Sequence, residues 1–141
     1  MGEALEVARR ADNAFNDHDV EARLAVNADD SELVMPGLRV RGKEQEGILL
    51  SFWEALPDAT ITWENSVESG SMVAGEGYLT GTHSGPFRNP QGEIPATGKQ
   101  VRLPYAFMRR VEEGKIVWEH LYFDQMEFLQ QLGAMPPPPT G

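Results

Sequence analysis

Residues 114–133 read GKIVWEHLYFDQMEFLQQLG, and no other part of the chain is as informative. The first half carries large apolar side chains at both odd and even positions, which is typical of a β-strand that is covered on both faces. The second half begins at Asp124, which can cap a helix with Glu127 three residues on, and Gly133 ends it. The stretch therefore predicts a strand that leads directly into a closing helix, residues 125–132.

The two faces of this strand carry different sets of side chains. One face has Val117, Glu119, Leu121 and Phe123, and the other has Ile116, Trp118, His120 and Tyr122. One set would meet the helices and a pocket. The other set needs a second cover, which a twofold-related copy of the chain could supply. We therefore expect a homodimer.

The spacing of apolar residues divides the rest of the chain into helices followed by strands. The period changes from 3.6 to 2 at Pro57, so strands follow it. This α+β order predicts a curved, mostly antiparallel sheet wrapped around three helices, within one domain of residues 1–133 and with a proline-rich tail, 134–141. The predicted elements are helix 3–16, a short helix capped by Asp19, an apolar strand 32–35 after the polar run 27–31, a helix from about residue 43 to Pro57, strands 61–67 and 72–83, a loop 84–98, and two strands around a hairpin at Glu113-Gly114.

Charge and composition exclude several kinds of partner and site. The chain has 22 acidic and 12 basic residues and a net charge of -10, so nucleic acid and anionic membranes are not expected partners. It has no cysteine, and its three histidines form no metal-binding motif, so we expect no metal. Residues 1–12 carry charges throughout and no long apolar run follows, which favours a cytoplasmic protein.

Two further motifs join the final stretch in pointing to a family. Residues 81–87 read GTHSGPF and residues 92–99 read GEIPATGK. With GKI at 114–116 and YFD at 122–124, the chain resembles the SnoaL-like polyketide cyclase group of the NTF2-like superfamily. The resemblance implies a cone-shaped fold with a closed apolar pocket, and a homodimer. It also implies cofactor-free acid/base chemistry on a small hydrophobic, polyketide-like carbonyl compound.

The resemblance also shows where this chain departs from the anthracycline cyclases. Their acid/base aspartate matches Leu121, and their supporting glutamine and histidine match Tyr105 and Phe107. All three polar groups are replaced, which leaves an aromatic-lined apolar surface suited to a flat ligand. The expected substrate-binding residues are Trp53, Phe87, Leu103, Tyr105, Phe107, His120, Leu121 and Phe123.

Three residues are candidates for catalysis, and each has a simpler alternative. Glu119 among apolar groups would have a raised pKa and act as a base, or it lies near the pocket mouth, solvated or paired with an arginine such as Arg109 or Arg110. Asp124 is a base or only a helix cap. His83 lies over the pocket entrance or only forms turn hydrogen bonds.

The remaining candidates have ordinary structural interpretations too. His120 is an interface residue unless a bulge reverses the strand, and Trp53 and Phe87 could serve only as core. Three functions stay open: a cofactor-free enzyme with Tyr105 or His83 as a hydrogen-bond donor, a non-catalytic binder of a hydrophobic molecule, and an interaction module that uses the proline tail.

Overall fold

The computed structural model describes residues 2–89 and 92–135. In these residues a predominantly helical first part precedes a strand-rich second part, as the order of the predicted elements indicates. The helices are α1 Glu3–Asn16, α2 Val20–Ala25, α3 Gln45–Ala55 and α4 Gln125–Gln131, with a 3-10 turn at Gly42–Glu44. The strands are β1 Asn27–Met35, β2 Leu38–Arg41, β3 Thr60–Ser69, β4 Met72–Thr82, β5 Phe87–Asn89, β6 Gly92–Ile94, β7 Gln100–Glu112 and β8 Lys115–Tyr122.

Six strands form one sheet in the order β2-β1-β8-β7-β4-β3. Every neighbouring pair is antiparallel except β1 and β8, which run parallel. β5 and β6 form a separate two-stranded hairpin. The expected α+β fold with a curved, mostly antiparallel sheet is confirmed.

Helix α1 can lie close to the sheet because the side chains that face it are small. Ala4, Ala8 and Ala11 are all at most 3% exposed. They pack in one cluster with residues of β4, β7 and β8, among them Phe107 and Ile116. A second cluster joins the other end of α1 to α3, the sheet and α4, and its largest members are Phe15, Leu56, Leu79, Leu103, Phe128 and Leu132.

The structure corrects the expected bounds of three segments. β1 begins at Asn27, so the polar run 27–31 belongs to the strand and does not only precede it. Gly37, with a φ of +74°, turns the chain back into β2, a strand that we did not predict. The predicted loop 84–98 contains the hairpin β5–β6. Each of these strands is short or polar, so pairing with a neighbour, and not apolar periodicity, stabilises it.

A β-bulge changes the two faces of β8 from those expected. Val111 on β7 pairs with Ile116, and Arg110 pairs with Trp118, so Val117 has no partner in the register. Ile116 therefore lies in the core at 1% exposure and not with Trp118 on the outer face. Beyond the bulge, alternation is as expected, because Glu119 and Leu121 point inward.

Two further expectations concern the C-terminal tail and membrane-spanning helices. Residues 136–141, the main part of the expected proline-rich tail, lie outside the described residues. Within the described residues, no helix has the length and apolar character needed to cross a membrane.

Gly77 on β4 provides a test of the sheet's curvature. A Cβ atom at this position would lie 1.8 Å from the carbonyl oxygen of Thr62 on β3. We expect Gly77→Ala to lower the free energy of unfolding by about 3 kcal/mol or more, since backbone must move to relieve the overlap. Urea denaturation followed by circular dichroism measures this change.

Gly47 is the matched control for this substitution. It lies inside α3, and nothing is within 4 Å of the position its Cβ would take. Gly47→Ala should leave the stability unchanged or raise it by up to about 1 kcal/mol, because alanine is the better helix former. Equal effects of the two substitutions would contradict the close approach of β3 and β4.

Candidate active site

A cavity lies between the helices and the inner face of the sheet. Its volume is about 90 Å³. Most of its lining is aliphatic or aromatic, contributed by α1 to α3 and by five strands of the sheet. The polar residues of the lining are Asp12, Arg23, Asn27, Gln45, Tyr105, Arg109 and Glu119.

Four of these polar residues form a buried ionic network centred on Arg109 of β7. Its guanidinium donates through Nε to Glu119 Oε2 and through Nη2 to Asp12 Oδ1, over 2.5 Å and 2.7 Å. Its Nη1 donates to the carbonyl oxygen of Ala8 over 3.0 Å. Arg23 of α2 donates to the second oxygen of Glu119 over 2.9 Å. Two carboxylates and two guanidiniums balance, so the network adds no net charge to the cavity.

Neutral side chains complete the hydrogen bonding around the network. The indole N–H of Trp63 donates to Asp12 Oδ2 over 2.6 Å. Arg23 Nη1 donates to Asn27 Oδ1, and Asn27 Nδ2 donates to Gln45 Oε1. Gln45 in turn donates to the backbone carbonyl and hydroxyl oxygens of Ser31. Buried charges require such partners, and these bonds fix the orientation of both carboxylates.

Glu119 is ionised at neutral pH and is not the raised-pKa base that apolar surroundings would make it. Burial disfavours its charged form, but the charges and hydrogen bonds of Arg109 and Arg23 outweigh burial and hold the pKa of Glu119 below its ordinary value. The same pairing raises the pKa of Arg109, because Asp12 and Glu119 together outweigh its desolvation. Of the two interpretations of Glu119, the pairing with an arginine is confirmed, but in the buried interior.

Tyr105 brings an unused hydrogen-bond donor to the cavity. Its hydroxyl oxygen is buried and has no hydrogen-bond partner within the described part of the chain. Burial, and then the negative charge of Asp12, raise the pKa of Tyr105, so the hydroxyl stays protonated. A buried donor without a partner is costly, and a ligand with an acceptor atom would satisfy it.

The expected substrate-binding residues separate into two groups. Leu103, Tyr105, Leu121 and Phe123 line the cavity. The other four do not. Phe107 lies under α1 with Trp63, Trp53 packs between Phe15 and His18, Phe87 contacts Phe52 and Phe128, and His120 lies on the outer face beside Trp118.

Of the three expected catalytic residues, only Glu119 lines the cavity. Asp124 is exposed and caps α4, where it accepts the backbone N–H of Glu127 over 3.1 Å. His83 is fully buried outside the lining, with Nδ1 2.9 Å from Thr97 Oγ1, and burial lowers its pKa. Asp124 matches its simpler alternative, a helix cap. His83 matches neither interpretation, because its side chain is buried and its partner Thr97 lies 14 residues along the chain, outside any local turn.

The sequence analysis missed Asp12 as a site residue, although a signal for it exists. Asp12 follows Ala4 and Ala8 at intervals of four, so it continues the apolar stripe of α1. A carboxylate on the buried face of a helix needs a cationic partner, and only the fold shows that Arg109 supplies it. Within the described residues, no three histidine, aspartate or glutamate side chains are placed to hold a metal ion.

Comparison with known families agrees with this α+β fold and with a cavity between its helices and sheet. The model of the SnoaL-like polyketide cyclase family matches residues 5–132. The chain belongs to this family. Comparison with curated proteins gives no match.

Solved structures of NTF2-like proteins share the fold. AclR of Streptomyces galilaeus, a proposed hydroxylase, superposes with a TM-score of 0.84 at 20% identity, covering 97% of this chain and 85% of that one. A proposed SnoaL-like polyketide cyclase from Jannaschia sp. CCS1 gives 0.82 at 19%, covering 96% and 94%. IdmH of Streptomyces antibioticus, a proposed polyketide cyclase, gives 0.78 at 25%, covering 94% and 99%.

The ionic network makes a prediction for Glu119→Gln. The substitution leaves two buried guanidiniums short of one negative charge, so the free energy of unfolding at neutral pH should fall by about 3–5 kcal/mol. Because the folded-state pKa of Glu119 lies below its ordinary 4.5, its stabilising effect is present above that pH and is lost as the pH falls through the folded-state pKa. The variant should therefore lose less stability than the wild type on acidification below about pH 4.5.

Glu64→Gln is the control, since Glu64 lies exposed on β3. Thermal unfolding at a series of pH values measures both variants. If the stability of the wild type and that of Glu119→Gln fall equally as the pH drops below about 4.5, Glu119 is not held ionised by the network.

Proposed function

We propose that this protein performs cofactor-free acid/base chemistry on a small hydrophobic, polyketide-like carbonyl compound. The single observation that supports this most strongly is the buried Tyr105 hydroxyl, which has no hydrogen-bond partner within the described residues. It belongs to a mostly apolar cavity whose lining also contains the carboxylates of Asp12 and Glu119. The apolar lining favours a hydrophobic ligand body, and the hydroxyl favours one acceptor atom on it.

In this proposal Tyr105 acts as the hydrogen-bond donor and Asp12 as the proton acceptor. The Tyr105 hydroxyl donates to the substrate's carbonyl oxygen and stabilises the negative charge that develops there when a proton leaves the adjacent carbon. Asp12 is favoured over Glu119 as the base because one guanidinium contacts Asp12 and two contact Glu119. Arg109 keeps Asp12 oriented toward the cavity.

A non-catalytic binding protein is the second candidate. Both oxygens of Asp12 and both oxygens of Glu119 already accept hydrogen bonds, so a substrate proton would have to compete with those donors. A protein that only holds a hydrophobic carbonyl compound needs the donor of Tyr105 but no proton acceptor.

Hydrogen-deuterium exchange of 2-tetralone separates these candidates. The α-protons of this bicyclic ketone exchange with D2O when a base removes them, and NMR follows the loss of signal. We expect the protein to accelerate exchange, and Tyr105→Phe and Asp12→Asn each to reduce the acceleration by about 10²-fold or more.

Matched controls are a tyrosine and an aspartate outside the cavity. Tyr122→Phe and Asp124→Asn remove the same groups from exposed positions and should retain the wild-type rate. If 2-tetralone binds more weakly to Tyr105→Phe but no form of the protein accelerates exchange, the binding protein is the correct function. An unchanged rate in Asp12→Asn would exclude Asp12 as the base.

We also propose that the protein is a homodimer formed through the outer face of β7 and β8. Trp118, His120, Tyr122 and Met108 form a continuous strip there, with Tyr122 53% and Met108 40% exposed. Burial of such a strip by a second copy follows the twofold arrangement common in homo-oligomers. The net charge of -10 supports the further expectations that neither nucleic acid nor an anionic membrane is a partner, and a cytoplasmic location stays a prediction.

Met108→Glu tests the dimer. A carboxylate in the centre of the strip would lose hydration on association, so the variant should sediment as a monomer where the wild type sediments as a dimer. Leu50→Glu is the control, because Leu50 is 48% exposed on α3, away from the sheet's outer face. A wild type that sediments as a monomer at micromolar concentration would contradict this proposal.

A further inference from the structure

The cavity that contains Tyr105 is too small for a polyketide-sized molecule. Its volume is about 90 Å³, whereas pockets for drug-sized ligands measure roughly 300–1,000 Å³. A space of this size holds only the carbonyl end of such a ligand. The rest of the ligand must lie outside this inner cavity.

A second and larger cavity lies directly beside the first. Its volume is about 560 Å³, and it lies between the turn from β1 to β2, the hairpin β5–β6 and helix α4. Its lining is mainly apolar, and Glu93 is the one charged residue in it within the described part of the chain. The apolar side chains that matter most here are Met35, Leu38, Phe87, Ile94, Phe128 and Leu129.

Two aromatic rings separate the inner and outer cavities. Phe52 of α3 and Phe123, which follows β8, line both cavities. Each ring also packs against Phe128 of α4, with centroid distances of 6.2 Å and 6.0 Å. Because both cavities share these two side chains, rotation of their rings can connect the two spaces.

We propose that the outer cavity is a second ligand subsite, which takes the apolar tail of a substrate whose carbonyl end lies at Tyr105. The substrate is then an extended or polycyclic carbonyl compound with an uncharged tail, and it passes between Phe52 and Phe123. The combined volume of the two cavities is within the range of ligand pockets, which the inner cavity alone is not. This assignment rests on the proposed function for the inner end of the ligand.

Two ketones with the same head test the outer subsite. We compare 2-tetralone with 6-hexyl-2-tetralone, which has the same ketone ring and carries a six-carbon tail, by isothermal titration calorimetry. The tail should lower Kd by at least about tenfold, which corresponds to about 1.4 kcal/mol and to about two buried methylene groups.

Leu129→Trp and Ile94→Trp each fill the outer cavity from a different element. In both variants the Kd of 2-tetralone divided by the Kd of 6-hexyl-2-tetralone should fall toward one, because the tail loses its space. Leu50→Trp, on the exposed side of α3, should keep the wild-type ratio. Thermal unfolding of each variant shows whether the fold is intact, and the two tryptophan variants keep the test valid if one of them does not fold.

The outcomes separate this proposal from the proposed function. Equal Kd values for the two ketones in the wild type, or a ratio that both tryptophan variants leave unchanged, overturn the outer subsite. Failure of both ketones to bind overturns it as well. A tail-dependent Kd together with no effect of Tyr105→Phe would instead support the outer subsite and contradict the role of Tyr105 at the inner end.

Discussion

The buried guanidinium of Arg109 is the interaction on which the interior of this protein depends. It binds the carboxylates of Asp12 on α1 and Glu119 on β8 and the backbone carbonyl of Ala8, so one side chain ties the first helix to the centre of the sheet. Desolvation of a charge is costly, and the network offsets that cost only while every partner is present. The same four charged side chains also line the cavity, whose other walls are mostly apolar. The network therefore both holds α1 on the sheet and provides the charged groups of the site.

The resemblance to the anthracycline cyclases predicted an aromatic-lined apolar surface, but charged side chains at other positions also line the cavity. The positions matching their polar groups carry Leu121, Tyr105 and Phe107, and Phe107 does not line the cavity. Charged groups enter instead from α1, α2, β7 and β8, where they pair with one another. Of the buried side-chain atoms without a hydrogen-bond partner in the described residues, the Tyr105 hydroxyl is the one that belongs to the cavity lining. The cavity lining therefore combines a charge-balanced ionic network with one hydroxyl group that has no hydrogen-bond partner. This arrangement suits a ligand with few polar atoms.

Periodicity and capping chemistry were enough to predict most secondary structure. The bounds of α1, the Asp19 cap of α2 and the Asp124 cap of α4 all follow from local residue patterns. Local patterns failed where a neighbouring strand supplies the stabilisation, as in β2, the hairpin β5–β6 and the polar start of β1. Local patterns did not predict the bulge at Val117 either, since it is a property of the pairing between β7 and β8. Four of the eight expected binding residues line the cavity because strand alternation is correct beyond that bulge.

The amino-acid sequence by itself determined the α+β order and the family, because both depend on residue types and short spacings along the chain. Tertiary structure alone decided which charges meet. Asp12 and Arg109 are 97 residues apart, and no local pattern pairs them. It also decided the ionised state of Glu119, since the sign of a buried carboxylate's pKa shift depends on whether a cation lies within hydrogen-bonding distance, and only the packing of α2 and β7 against β8 brings the two arginines there.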